Sequence, residues 1–326
     1  MLLGLAATGA LPGCAGLDAD VGSTMSRYPA PKSATQEPGQ TPLRPSESDS
    51  APSLPATTSW NPSGFDIQPD VKLRAAQIVE VIGTWAAGQQ GAAAARTRVA
   101  ALGLDPQLVS SDNPLLADAG AATTRVDFAQ YGGLQADSAS VLVVAEQWRT
   151  SPAGRIIHSG ATFDVRLSSH EPRWNVTAIY PSRPKPPASS LGPQARATLT
   201  NPRLSLPSAA IADIRSGTVS EVALSALNQL AATHALAVSV LESGHPLNVF
   251  GTDRPSDHPR GRAIDIWLID GRPVVDPANY PLVEQVMRSG IELGAYQAGG
   301  PVQLTPSSSF FSDDTHHDHV HLGFVD

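Results

Sequence analysis

Hydrophobic positions are spread unevenly along this chain. Leu2 to Leu11 is almost continuously apolar, and residues 15–61 show almost no periodicity. From about residue 65 the pattern becomes regular. Val71, Ile78, Ile82 and Trp85 recur at helical spacing, and Asp70 stands where a helix cap belongs. Helical sequence continues through Ala92–Ala95 toward Leu108. Four runs rich in β-branched and aromatic residues follow: Thr124–Tyr131, Ala139–Arg149, Arg155–Leu167 and Trp174–Tyr180, separated by Gly, Pro and Ser turns. Helices first and then an antiparallel meander predict an α+β cone.

Pro181-Ser182-Arg183-Pro184-Lys185-Pro186-Pro187 then reads as a stiff break. Beyond it, Ser220 with Glu221 opens a helix through Val222, Leu224, Leu227 and Leu230, and Ala237–Leu241 reads as a buried strand. A Gly- and Pro-rich loop, Ser243–Arg260, leads into a strand over Gly261–Ile269. Asp276-Pro277 starts a helix ending near Gly294, and the final strand covers Asp318–Val325. Two-residue alternation in that strand places His319, His321 and Gly323 on one face and Val320, Leu322 and Phe324 on the other. In the 262–269 strand, Asp265 shares a face with Ala263 and Trp267, while Ile264, Ile266 and Leu268 point the opposite way.

These patterns predict a signal segment over 1–13, a Pro/Ser-rich disordered tether over 14–64, an α+β domain over 65–182, a linker over 183–194 and a second α+β domain over 195–326. The net charge of -8 argues against a nucleic-acid partner, because phosphate binding requires a basic face. A single cysteine, Cys14, excludes an internal disulfide. Leu11-Pro12-Gly13-Cys14, after the apolar stretch, resembles a bacterial lipobox, although Pro12 occupies a slot where such motifs carry a small or aliphatic residue. The expectation is an extracytoplasmic lipoprotein, anchored to the cell membrane through a lipid on Cys14 and facing the cell wall.

The chemistry lies near the C-terminus. Ser256-Asp257-His258-Pro259-Arg260-Gly261-Arg262-Ala263-Ile264-Asp265 reads S-x-H-x-x-G-x-A-x-D, and His319-Val320-His321 answers it as H-x-H. Imidazole and carboxylate are zinc ligands, and a catalytic zinc has three protein ligands plus an open position. His258, Asp265 and His321 are the candidate ligands of Zn²⁺. His319, on the same strand face as His321, is the candidate proton acceptor, with closure of the site as a fourth ligand as the alternative.

The two motifs resemble the zinc peptidases that include D-Ala-D-Ala dipeptidases and carboxypeptidases, the penicillin-insensitive murein endopeptidase and the Hedgehog signalling fold. The resemblance covers about 130 residues. It implies a Hedgehog/DD-peptidase-like α+β zinc domain with a central antiparallel sheet, zinc on His258, Asp265 and His321, and hydrolysis of peptidoglycan stem peptides. Many members place a Glu base three residues before the final His. Asp318 fills that slot here, and Asp318-His319-Val320-His321 looks more like the endopeptidase branch, where the first His of H-x-H is the base and His316 also has a counterpart. Peptide-cleaving relatives carry an Arg after a Ser-Gly turn, whereas this chain has Ser243-Gly244-His245-Pro246, leaving Arg254 or Arg262 as substitutes. The alternative is a catalytically inactive zinc-bound module that recognises wall peptides or a protein.

The first domain, closed by Trp174–Ile179, more weakly resembles NTF2-like domains, which implies a binding or spacing module, with a small ligand as a third reading. No catalytic set stands out in it. His158 and His170 read as surface or satisfied structural residues, and Glu146 as part of a solvated strand face. His234 reads as a favourable charge at a helix end, His317 as a solvated loop residue, and His245 as a turn residue near the site.

Overall fold

In the first half, the sequence spacing produces two helices laid on an antiparallel sheet. The computed structural model describes residues 53–116, 119–169 and 174–325, and residues 50–326 belong to one contact unit. Cys14, the apolar leader, most of the expected tether and His170 lie outside the described residues. The tether does not reach residue 64 as expected: Trp60 packs on the first core and its backbone N–H donates to Glu80 Oε1 at 2.7 Å.

Helix α1 spans Pro69–Gly83, with proline in its first turn. Gln68, in a left-handed conformation (φ 46°), stands at its N-cap without a side-chain bond. Asp70 therefore does not cap it. It lies in the first turn, where its charge faces the positive helix end. Helix α2, Gly91–Ala101, stops short of Leu108, because Gly103 adopts φ 71° and Pro106 opens a separate single turn.

Strands β1 (Ala122–Leu134), β2 (Ser138–Thr150), β3 (Ile156–Ser168) and β4 (Asn175–Pro181) pair antiparallel in sequence order. Val71, Ile78, Val79 and Ile82 of α1 pack with Ala129, Tyr131, Val141, Phe163 and Val165 into the first core.

The second half has its own core. Its elements are α3 (Pro193–Thr200), β5 (Leu204–Ser205), α4 (Ser208–Ser216), α5 (Glu221–Leu230), β6 (Leu236–Val240), β7 (Ala263–Ile269), β8 (Arg272–Pro273), α6 (Tyr280–Glu292), β9 (Gln297–Gly299), β10 (Phe310–Phe311) and β11 (Val320–Gly323). The sheet order is β10-β9-β11-β7-β6-β5, with β8 folded back on β7. Its centre is antiparallel as expected, but β10 on β9 and β5 on β6 run parallel, so the whole sheet is mixed. The outer strands are two or three residues long and too short to show a period.

Val320, Leu322 and Phe324 are fully buried in this core with Ile264 and Ile266, which turns the alternate residues His321 and Asp265 to the opposite face. That face meets the first sheet. Phe128 of β1 stacks on Trp267 of β7 with ring centroids 4.5 Å apart. Glu146 of β2, expected on a solvated face, is buried and accepts the Ser208 backbone N–H (2.7 Å) and hydroxyl (2.6 Å) at the start of α4, with His158 2.8 Å away. The first sheet is thus covered on both faces, by its own helices and by the second half.

Candidate metal centre

His258 sits in a single 3-10 turn, His258–Arg260, that ends at Gly261 with φ 67°. A Cβ at Gly261 would come 2.1 Å from the Thr218 carbonyl oxygen, so the turn requires glycine. Ser256 Oγ accepts the His258 backbone N–H at 3.4 Å, which ties the start of the turn. Asp265 and His321 come from β7 and β11, where they are directly paired across the ladder.

Three donor atoms converge. His258 Nε2 lies 3.1 Å from Asp265 Oδ1 and 3.2 Å from His321 Nδ1, and His321 Nδ1 lies 3.0 Å from the same Oδ1. Ligands on a tetrahedral zinc at ordinary bond lengths stand about 3.3 Å apart, close to this triangle. His258 Nδ1–H donates to the Leu241 carbonyl at 2.8 Å, which fixes the ring with its Nε2 toward the carboxylate. Burial pushes the His321 imidazole down to about 4, so it is neutral near pH 7. Burial alone would raise Asp265, but His258, His319 and the hydrogen bonds from His258 and His321 hold it well below the carboxylate range. Two imidazoles and one buried carboxylate are donor types that suit a divalent cation. His258, Asp265 and His321 could hold a metal ion.

His319 is held beside the triangle and is not part of it. Its Nδ1–H donates to Asp318 Oδ1 at 2.5 Å, and its Nε2 lies 3.8 Å from Asp265 Oδ2. Burial lowers its pKa, but the two carboxylates raise it further, leaving it above the ordinary histidine value. Asp318, expected in the slot where the zinc peptidases that the motifs resemble carry an acidic base, is fully buried with both oxygens engaged. Its Oδ2 lies 2.5 Å from Lys72 Nζ and accepts the Tyr131 backbone N–H at 3.2 Å. Against burial, Lys72 and His319 hold it ionised far below the usual range. It orients His319, and both of its oxygens are engaged by His319, Lys72 and Tyr131.

Lys72 also pairs with Asp66, and its ammonium lies 5.1 Å from the centre of the Tyr131 ring. Asp66, His317 and Asp318 form a second cluster of metal-ligand types. The Lys72 ammonium already supplies the positive charge there. His317 is not solvated as expected: it is buried, and its Nε2 accepts the Ile67 N–H at 3.1 Å.

A cavity of about 530 Å³ opens on the triangle, lined by Asp265, His316, His319 and His321 with Arg254, Arg260, Phe250 and the Tyr131–Gln135 end of β1. His316 is brought to the site, its ring 5.3 Å from that of His319, and its Nδ1 bonds Asp313 at 2.7 Å. Arg254 is exposed on the cavity lining, whereas Arg262 does not line it. His245 stacks on His258 at 4.2 Å and packs against the ligand ring. His234, read as a helix-end charge, instead pairs with Asp270 at 2.8 Å.

Lys72, Gln130 and Tyr131 reach the site from the first half, where the sequence placed no site residue. Comparison with family models, curated proteins and solved structures finds no match for this chain.

Proposed function

We propose that this chain is a zinc-dependent peptidase acting on peptidoglycan stem peptides, of the D-Ala-D-Ala carboxypeptidase or endopeptidase type. One observation carries the reading: a buried three-donor triangle with a separate, carboxylate-oriented histidine beside it at the edge of a cavity. In this reading the second half is a Hedgehog/DD-peptidase-like domain and the first an NTF2-like one. The protein would be exported and lipid-anchored at Cys14, with its cavity facing the wall.

A zinc ion held by His258, Asp265 and His321 would supply Lewis acidity, lowering the pKa of a water toward about 7 and polarising a peptide carbonyl. The ligand set, two neutral imidazoles and one carboxylate, leaves a net charge of about +1 at the ion. With its Nδ1–H given to Asp318, His319 in its neutral form would present a bare Nε2 that can take a proton and return it to the leaving amine. Arg254 provides positive charge on the cavity lining toward a substrate oxygen, in place of the arginine absent after Ser243-Gly244.

That absence also favours a second reading, an inactive zinc-bound module that recognises wall peptides. Mass spectrometry of defined muropeptides incubated with the zinc-loaded protein separates the two. Cleavage that disappears in His319→Ala supports the peptidase, and intact peptides throughout support the binding module.

A further inference from the structure

Asp265 has two carboxylate oxygens with different partners. Oδ1 belongs to the donor triangle, while Oδ2 accepts the side-chain N–H of Gln130 at 2.6 Å. Gln130 is fully buried, and its own amide oxygen accepts from Ser239 Oγ. That second bond orients the amide, because only its nitrogen end can then face the carboxylate. Gln130 comes from β1 of the first sheet, 135 residues before Asp265. Phe128, two residues earlier on the same strand, stacks on Trp267, two residues beyond Asp265 on β7. The strand is thereby held at a fixed distance from the ligand.

We propose that Gln130 is a positioning residue for the metal centre, one that occupies Asp265 Oδ2 and leaves Oδ1 as the single oxygen facing His258 and His321. The inference rests on the metal-centre reading above. On this account the first sheet is a structural part of the site: it supplies the outer hydrogen bond that sets how the carboxylate binds. Partners of this kind contribute about 10–100-fold to metal affinity. Without the amide, Oδ2 is left buried and unpaired, which favours rotation of the carboxylate so that both oxygens reach the ion.

The test uses the whole chain and two variants, Gln130→Met, which keeps the length and removes the donor, and Ser239→Ala, which frees the amide's far end and also removes the 3.3 Å bond from Ser239 Oγ to the Asp265 carbonyl oxygen. Zinc affinity is measured by chelator competition, and the visible spectrum is recorded with Co²⁺ in place of zinc. Gln130→Met is expected to bind zinc about 10–100-fold more weakly, with Co²⁺ absorption reduced as the coordination number rises. Ser239→Ala is expected to move both readouts in the same direction by less. A purely structural role would lower the melting temperature and leave the cobalt spectrum unchanged. Wild-type affinity with an unchanged cobalt spectrum, in whichever variant is folded, overturns the proposal. His258→Ala keeps the two ideas apart: if it binds zinc as tightly as the wild type, the metal-centre reading itself fails and Gln130 falls with it.

Discussion

His321 and Asp265 are direct cross-strand partners on β11 and β7, with Nδ1 and Oδ1 3.0 Å apart. Strand register alone therefore sets two of the three donors. A slip of one residue would turn His321 into the core and Val320 or Leu322 toward the cavity, and the burial of Val320, Leu322 and Phe324 prevents it. The third donor, His258, arrives from a loop and is locked by the Leu241 carbonyl.

His258→Ala and His321→Ala each remove one of the three donors and are expected to abolish stoichiometric zinc binding, read by elemental analysis of dialysed protein. Both should remain folded, since neither imidazole belongs to the apolar core. Retention of one zinc per chain in both variants would falsify the assignment.

His319→Ala separates catalysis from metal binding. His319 Nε2 stands 3.8 Å from Asp265 Oδ2, and His319 lies outside the donor group. The variant should keep its zinc and lose about 10²–10⁴-fold in muropeptide cleavage, the usual contribution of a positioned acid or base. Loss of zinc from His319→Ala would instead make it a fourth ligand and the site closed.

The ligand triangle was legible in the sequence because strand alternation decides which residues leave the core, and the alternation around His321 is uninterrupted. The meander was legible for a similar reason: four long strands with clear turns leave little freedom. The short elements α3, α4, β9 and β10 carry too few residues to display a period. What escaped entirely is the contact between the halves. Two signals for it were present. Val141–Ala145 is an unbroken apolar run, which a strand covered on both faces produces, and Glu146 at its end was misread because that cover was not anticipated. Lys72 lies on the helix stripe shared by Ala75, Ala76 and Val79, all buried, and a lysine in such a stripe needs a buried anion. The partner, Asp318, is far away in sequence, and no local pattern points to it.

Lys72→Met leaves Asp66 and Asp318 buried without their cation. Removing one partner of a buried ion pair costs about 3–5 kcal/mol, and denaturant unfolding should show a loss of this order. Adding Asp66→Asn and Asp318→Asn, which removes the stranded charges, should recover part of it. A change within 0.5 kcal/mol, the range of an ordinary surface substitution, would mean that Lys72 is not the counter-ion of this cluster.

Stability of the zinc-stripped protein should fall on mild acidification, and His321 supplies part of the effect. Burial pushes its folded pKa down from 6.5 to about 4. Between these values the unfolded chain binds a proton at this position that the folded chain does not. The stabilisation is therefore complete above about 6.5, declines as the pH drops, and is gone below about 4. A gap of this size corresponds to at most about 3 kcal/mol. Burial also lowers His245 and His317, which act in the same direction. His319 has the opposite sign, since its raised pKa gives stability that is present below about 6.5 and lost as the pH rises through its folded value. Chemical denaturation from pH 7.5 to 4, compared between wild type and His321→Gln, isolates the single residue. The variant should show a shallower decline below pH 6.5, whereas parallel curves would mean that folding leaves the proton affinity of His321 unchanged. Zinc should shift the wild-type decline to lower pH, because the ion competes with the proton for the same nitrogen.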